Sequence, residues 1–315
     1  MATTLMPMEE AVGSPPPGRQ RRPFRHSRGL QGAIYATPTA IFVCLFFLIP
    51  VALVMQMSAS DWGLIAGNKG WNFPDNFTKV VDHRHFWPSI LFTFKYTLIV
   101  TVILIGLGLA MALIVQDTGR WRSFLRTSFL VPSALGLASA SLLFWGLYSP
   151  QSGPLSPILK SLGLIDESIS FLGTPNSALW STVFLIVWRY AGFYMLILMV
   201  GLQRIPPDVY EAARIDGASR MQTFFRVTLP LLKSSIALSL ILCVTGSLLA
   251  FDQFYILTKG GPDNSTITVV QLIYNQAFGG SQNLGTAAAL SMIVLLILIV
   301  INALQFRMMR NADDN

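Results

Sequence analysis

The sequence contains few charged residues. Of its 315 residues, 15 are acidic and 22 are basic, so charged side chains make up only 12% of the chain. Hydrophobic residues make up 53%, and the mean hydropathy is +0.56. A water-soluble domain needs a larger share of charged residues on its surface. The composition therefore excludes a soluble globular protein and predicts a protein that crosses the membrane several times.

Cysteine and histidine are scarce as well. Cys44 and Cys243 lie inside apolar segments, where cysteine ordinarily has a packing role and a disulfide is not expected. His83 and His85 form a short pair next to Asp82, outside the apolar segments. A surface pair of this kind is more often solvated than bound to a metal. We therefore predict that the chain holds no metal ion.

Catalytic motifs are missing from the sequence. There is no glycine-rich loop ending in Lys-Ser or Lys-Thr to bind a phosphate, and no His-Glu-x-x-His. No pair of catalytic groups is evident inside the apolar segments. These absences predict that the chain is not an enzyme, that it has no catalytic residues and that it does not hydrolyse ATP.

Six apolar segments each have close to the roughly 20 residues that a helix needs to cross a bilayer. They lie at residues 33–57, 91–115, 124–148, 178–201, 234–257 and 285–307. Because Ser58-x-Ser60 loosely resembles a cleavage site, a signal peptide is an alternative for the first segment. That segment exceeds the about 7–15 apolar residues of a signal peptide, so an uncleaved membrane helix is favoured.

Basic residues are concentrated on one side of the six predicted spans. With the N-terminus inside, the cytoplasmic segments contain Arg19, Arg21, Arg22, Arg25, Arg28, Arg120, Arg122, Arg126, Arg204, Arg214, Arg220, Arg226, Lys233, Arg307 and Arg310. The outer loops contain only Lys69, Lys79, Arg84, Lys160 and Lys259. This excess predicts a multi-pass protein with both termini in the cytoplasm. The scatter of these charges over segment ends also argues against a nucleic-acid partner, despite a net charge of +7.

The N-terminal residues 1–32 differ in composition from the rest. They include three consecutive prolines and five arginines, with little apolar surface to bury. We expect a disordered basic cytoplasmic arm here, followed by one membrane domain over residues 33–310.

A polar loop at residues 205–230 separates the fourth and fifth apolar segments. Pro206-Pro207 is suited to the start of a helix, and Gly217 interrupts it. A second short helix follows, so the loop is predicted to form two helices bent at a glycine. Its sequence runs Glu211-Ala212-Ala213, three residues, Gly217, nine residues, Val227, one residue, and Leu229-Pro230.

This pattern resembles the signature loop of permease subunits of binding-protein-dependent ABC importers, with Val227 in place of the usual isoleucine. The flanking stretches Gly201-Leu-Gln-Arg-Ile-Pro206 and Ile215-Asp-Gly-Ala218 resemble the carbohydrate branch of that family. The stretch from Phe251 to Pro262 is more similar to the maltose-permease F-like subunit than to its G-like partner. The resemblance extends over residues 85–305.

The resemblance implies an all-α membrane protein of six transmembrane helices, in the type I ABC importer permease fold with a cytoplasmic coupling-helix loop, located in the plasma (inner) membrane. The residues assigned to coupling with an ATPase are Glu211, Ala212, Ala213, Asp216, Gly217, Leu229 and Pro230. The implied partners are a second, G-like permease, two ATPase subunits, an extracytoplasmic substrate-binding protein and membrane lipid. The chain itself binds no cofactor, since ATP and Mg belong to the ATPase.

The expected cargo is a sugar, an oligosaccharide or a related polyol phosphate. An ABC importer permease for a non-carbohydrate solute is the alternative. An intramembrane enzyme or a receptor is a competing class, but the enzyme would need a catalytic pair within the spans, and none is evident. Copurification of an ATPase with the chain separates these classes.

A few ionisable residues fall inside the apolar segments. A charge at the bilayer centre costs about 2.5–3.5 kcal/mol on insertion scales, so these residues are expected to face a cavity or a partner. For both Arg189 and Asp252, a structural role stays open beside a role in transport. Sugars present hydroxyls and flat apolar ring faces, and the predicted substrate path is Trp188, Arg189, Tyr190, Asp252, Gln253 and Tyr255.

Overall fold

The structure, a computed structural model, describes residues 26–167, 169–280 and 282–313. The described chain divides into two compact units, of which the first ends at Val51 and the second begins at Ala52. In the first unit, helix α1 (His26–Val43) passes through a π-helical turn (Cys44–Leu48) into α2 (Ile49–Ser58), which continues into the second unit.

Helix α1 begins inside the arm that was predicted to be disordered. Residues 26–32 are helical and continuous with the apolar run that follows, in a helix that also contains Pro38. The rest of the predicted arm, residues 1–25, lies outside the described residues.

The second unit contains one small hairpin and a series of helices. Strands β1 (Ser60–Gly63) and β2 (Gly67–Trp71) pair antiparallel, with Ser60 opposite Trp71 and Gly63 opposite Gly67. The helices that follow are α3 (Asp75–Val81), α4 (Phe86–Val115), α5 (Arg120–Leu130), α6 (Leu137–Leu147), α7 (Leu155–Ser161), α8 (Pro175–Leu202), α9 (Pro207–Ile215), α10 (Arg220–Thr223), α11 (Leu229–Leu231), α12 (Lys233–Leu248), α13 (Asp252–Leu257), α14 (Val269–Phe278) and α15 (Leu284–Asp313).

The described residues contain four helical stretches that are long and apolar enough to cross a membrane. They are Gly32–Ser58, Phe86–Val115, Pro175–Leu202 and Leu284–Arg307, and they agree with the predicted first, second, fourth and sixth spans. Two bent helix pairs raise the number to six if each pair is one span. Arg120–Ala134 and Leu137–Leu147 meet at 93°, and Arg220–Leu231 and Lys233–Leu248 meet at 66°.

The third predicted span, residues 124–148, is a broken helix. Helix α5 tightens into a 3₁₀ segment, Val131–Ala134, and Leu135 then has extended backbone with ψ 139°. Pro132 cannot donate a backbone hydrogen bond, which weakens the helix at this point. The predicted span therefore corresponds to a bent helix pair and not to one continuous helix.

The fifth predicted span, residues 234–257, ends early. Helix α12 stops at Leu248, and α13 begins at Asp252 after a break. The Thr268 hydroxyl donates a 2.7 Å hydrogen bond to the carbonyl oxygen of Ala250, which lies in that break. A side chain from a later part of the chain thus satisfies the backbone where the helix ends, so α13 forms a separate short helix.

Helices α4, α8 and α12 form the centre of the second unit. The buried cluster around Tyr96, Leu104, Leu185 and Phe254 joins these helices to α13. A second buried cluster, which includes Ala112, Met195 and Leu202, lies at the other end of α4 and α8. At Gly192 of α8, a Cβ atom would overlap the carbonyl oxygen of Phe129, so α5 approaches α8 closely at this glycine.

Gly192→Ala should therefore destabilise the protein by about 1–3 kcal/mol, because the added methyl group has to displace the backbone of α5. Gly106→Ala is the matched control, since Gly106 lies in α4 and no neighbouring element comes within 4 Å of the methyl group that alanine would add. Thermal unfolding of both variants in the same detergent measures the difference. Equal unfolding temperatures for the two variants would contradict the close approach at Gly192.

Candidate functional site

A cavity of about 300 Å³ lies between α4, α8 and α12 and the break that follows α12. Apolar side chains such as Leu104 and Ile186 form part of its wall. Aromatic and polar residues form the rest, and they are Tyr96, Tyr190, Phe193, Tyr194, Ser247, Phe251, Asp252 and Gln253. Most of the wall is apolar, with a small number of hydrogen-bonding groups, as in sites for small organic ligands.

Gln253 is a buried polar residue of the cavity wall. Its side chain is buried, and Nε2 donates a 3.2 Å hydrogen bond to the hydroxyl of Tyr96. Its Oε1 atom has no hydrogen-bond partner among the described residues. A buried acceptor without a partner costs about 1–3 kcal/mol.

Three residues of the predicted substrate path line this cavity: Tyr190, Asp252 and Gln253. The other three, Trp188, Arg189 and Tyr255, are not among its lining residues. Trp188 packs against Phe144, with ring centroids 5.2 Å apart, and Tyr255 stacks on Phe251 at 5.1 Å. The role of all six in transport stays a prediction.

Arg189 has a different environment from its neighbour Tyr190. Its guanidinium donates a hydrogen bond to the carbonyl oxygen of Leu135, at the break between α5 and α6. The same group lies 4.3 Å from the ring centroid of Tyr190, within the range of a cation–π contact. These contacts favour the structural role for Arg189, that of stabilising a broken helix.

Of the cavity residues on α8, the sequence predicted Tyr190 but not Ile186, Phe193 or Tyr194. Ile186, Tyr190, Phe193 and Tyr194 lie at i, i+4, i+7 and i+8, which is one face of a helix. Extending the face from Tyr190 would have found Phe193 and Tyr194. Tyr96 and Ser247 had no such signal, because they come from helices whose rotation was unknown.

The polar loop at residues 205–230 forms a bent helix pair, as predicted. Helix α9 ends where the Ala218 N–H donates to the Ala213 carbonyl and the Gly217 N–H donates to the Arg214 carbonyl, at 3.0 and 3.1 Å. This is a Schellman motif, which needs a left-handed residue after the helix. Gly217 supplies it with φ 74°, so the glycine determines the bend.

Helix α10 begins at once with its own cap. The Ser219 N–H donates to Oε1 of Gln222 at 2.8 Å, and the Gln222 N–H donates back to the Ser219 hydroxyl at 3.3 Å, which forms a capping box. A π-helical turn, Phe224–Thr228, then leads into α11, which contains Leu229 and Pro230.

The outer face of this helix pair is left uncovered. Glu211, Ala212 and Asp216 are exposed, whereas Ala213 is buried. Tyr210 packs against the buried cluster at the Leu202 end of α8 and so attaches α9 to the membrane domain. The residues predicted for coupling therefore include a charged, exposed surface on a rigid support.

A membrane domain with a cavity between broken helices is typical of a transporter. The sequence matches the family of binding-protein-dependent transport system inner membrane components over residues 103–312. Because the match covers most of the chain, this protein belongs to that family of membrane permease subunits.

Relatives are similar over nearly their whole length. The trehalose/maltose transport system permease protein MalF of Thermococcus litoralis is 33% identical over 84% of this chain and 90% of its own. The sulfoquinovosyl glycerol transport system permease protein SmoG of Agrobacterium fabrum is 32% identical over 90% of this chain and 92% of its own. The multiple sugar-binding transport system permease protein MsmF of Streptococcus mutans is 32% identical over 87% of this chain and 93% of its own.

A solved structure has the same fold. A chain of a bacterial alginate ABC transporter, crystallised with an alginate pentasaccharide-bound periplasmic protein, superposes with a TM-score of 0.79. It covers 90% of this chain and 96% of its own, at 21% identity. The type I importer permease fold implied by the loop motif is thus confirmed.

Arg189→Ala should destabilise the protein by about 1.5–3 kcal/mol, because it leaves a carbonyl at the α5–α6 break without its charged donor. Arg204→Ala, at an exposed position, should change stability by less than about 0.5 kcal/mol. Thermal unfolding in detergent compares the two, and Arg189→Lys should recover part of the loss. A stable Arg189→Ala protein with reduced transport would instead favour a role in the substrate path.

Proposed function

We propose that this chain is the sugar-translocating permease subunit of an ATP-driven, binding-protein-dependent importer, and that it moves a sugar, an oligosaccharide or a related polyol phosphate into the cytoplasm. The observation that carries the proposal is the cavity between the two helix breaks, with its aromatic rings and its few hydrogen-bonding groups. The transported sugars in the names of its relatives support the same substrate class.

The cavity suits the chemistry of a sugar. A pyranose ring has flat apolar faces, which can lie on the rings of Tyr190, Phe193 and Phe251. Its hydroxyls can donate to the carboxylate of Asp252. A partly apolar wall with sparse polar groups holds such a ligand without binding it too tightly to release it.

The energy for transport comes from partner subunits. We assign ATP hydrolysis, with its bound ATP and Mg, to two ATPase subunits, and we expect no cofactor on this chain. The exposed surface around Glu211 and Ala212, next to the Gly217 bend, is the docking surface for one ATPase. A second, G-like permease completes the path, and an extracytoplasmic substrate-binding protein delivers the sugar.

Uptake by reconstituted proteoliposomes tests the function. Liposomes that contain both permeases and the ATPase, with loaded binding protein outside, should accumulate a labelled sugar only when ATP is enclosed. Liposomes that contain this chain alone should accumulate none. Uptake by the chain alone, or failure of the whole complex on every sugar tested, would refute the proposal.

Variants in the bent helix pair test the docking surface. Gly217→Trp should alter the bend, because a side chain is strained at φ 74°, and Glu211→Lys reverses an exposed charge. Both should weaken copurification of the ATPase and lower uptake, while insertion of the chain and loading of the binding protein stay normal.

Matched controls come from a loop on the other side of the membrane. Gly163 also has a left-handed backbone, with φ 67°, and apart from its two chain neighbours no described residue comes within 4 Å of the position that a Cβ atom would take there. Asp166 is exposed, like Glu211. Gly163→Trp and Asp166→Lys should leave ATPase copurification unchanged. Equal docking and transport in all four variants would remove the coupling role from this loop.

The proposed function also requires one orientation in the membrane, with both termini and residues 205–230 in the cytoplasm. A reporter fused after Arg310 should therefore be cytoplasmic, and one inserted near Gly70 should be external, because arginine and lysine are retained on the cytoplasmic side. Reporter activity on the opposite sides would overturn this orientation.

A further inference from the structure

Four aromatic rings follow one another from the cavity to the protein surface. Phe251 and Tyr255 are stacked with ring centroids 5.1 Å apart. Both contact Tyr274, at 5.2 and 5.1 Å, and Tyr274 contacts Phe278 at 5.3 Å. We call these four residues the aromatic ladder.

The ladder is not part of the buried core. Helix α13 turns Phe254 and Leu257 into the buried cluster with Tyr96, and α14 buries Val269 and Leu272. Tyr255, Tyr274 and Phe278 lie on the other faces of these two helices, and Phe251 directly precedes α13. None of the four belongs to the buried clusters of the described chain. Three of the rings are half-buried, and Phe278 is 58% exposed. Each ring therefore keeps part of its surface free for a ligand.

The ladder is continuous with the cavity, because Phe251 belongs to both. At the other end, the exposed ring of Phe278 lies at the last residue of α14. Since α13 and α14 follow the end of α12 that is opposite to the bent helix pair, the ladder is external in the proposed orientation. It therefore joins the outer surface to the substrate cavity.

Hydrogen bonds to threonine hydroxyls fix the positions of α13 and α14, and so of these rings, before any ligand binds. The Val269 N–H donates to the Thr93 hydroxyl at 3.0 Å, which attaches the start of α14 to α4. Between the two helices, the hydroxyls of Thr258 and Thr266 lie 2.8 Å apart, within hydrogen-bond distance. Ordering the loop in advance lowers the entropy cost of binding.

We propose that the aromatic ladder is a sugar-binding track, on which pyranose rings stack as they pass from the outer surface to the cavity. The proposal rests on the proposed function, since it assumes that a sugar is carried. The ring faces provide the contact, because the apolar face of a sugar packs on an aromatic ring without a fixed pattern of hydrogen bonds. A track of this kind tolerates movement, which a cluster of directional hydrogen bonds would resist.

Leucine variants in the complete reconstituted complex test the track, with maltose, trehalose and maltotriose as labelled probes. Tyr274→Leu and Phe278→Leu should each raise the half-saturating concentration of loaded binding protein, or lower the uptake rate, by about two- to tenfold. Tyr274→Phe keeps the ring and should transport like the wild type. Phe94→Leu, at an exposed position on α4, removes an aromatic ring outside the ladder and should have no effect.

The outcomes separate this proposal from the proposed function. If the wild type takes up a probe and both ladder variants match Phe94→Leu, the track is refuted while the function stands. If the wild-type complex takes up none of the probes, the sugar function fails and the track fails with it.

A thiol-labelling experiment covers the case in which the leucine variants do not assemble. Phe278→Cys, in a chain with Cys44 and Cys243 replaced by serine, should react with a membrane-impermeant maleimide from outside. Sugar-loaded binding protein should slow that reaction compared with the sugar-free protein. Labelling by a lipid-soluble maleimide alone would place Phe278 against lipid and overturn the track.

Discussion

A backbone carbonyl inside a membrane has no water to bind, so every break in a helix has to be satisfied by another part of the protein. This chain has breaks at Leu135 and Ala250, and each carbonyl accepts a hydrogen bond from a distant side chain, Arg189 and Thr268 respectively. The carbonyl oxygen of Val115, at the end of α4, likewise accepts a 2.6 Å hydrogen bond from the guanidinium of Arg126. Arginine and threonine side chains thus satisfy the backbone at these three points where a helix ends.

The substrate cavity follows from these breaks. Straight helices packed at normal density leave little space between them, whereas here Leu137 lines the cavity just after the first break and Ala250 lines it within the second. The second break also brings Asp252 and Gln253 to the cavity wall. The breaks in the helices therefore create the cavity, and the second break also supplies polar groups to its wall.

The bent helix pair is built on a different principle. Its caps at Gly217 and Ser219 are local, so its shape depends little on the rest of the chain. Helix α8 connects the pair to the cavity: it carries Tyr190 on the cavity wall, and its Leu202 end packs in the same buried cluster as Tyr210. Helix α8 can therefore transmit a movement of the helix pair to the cavity, as the proposed coupling requires.

The number of apolar segments, the helix pair with its glycine bend and the family of the chain could be predicted from the sequence, because these features depend on segment length, local caps and a contiguous motif. Which residues face the cavity depends instead on how the helices pack. Arg189 and Tyr190 are neighbours in sequence, yet one holds the break at Leu135 and the other lines the cavity. A helix that faces lipid on one side and protein on the other is apolar all round, so its periodicity does not mark its rotation. That rotation was set by packing against helices far away in the chain.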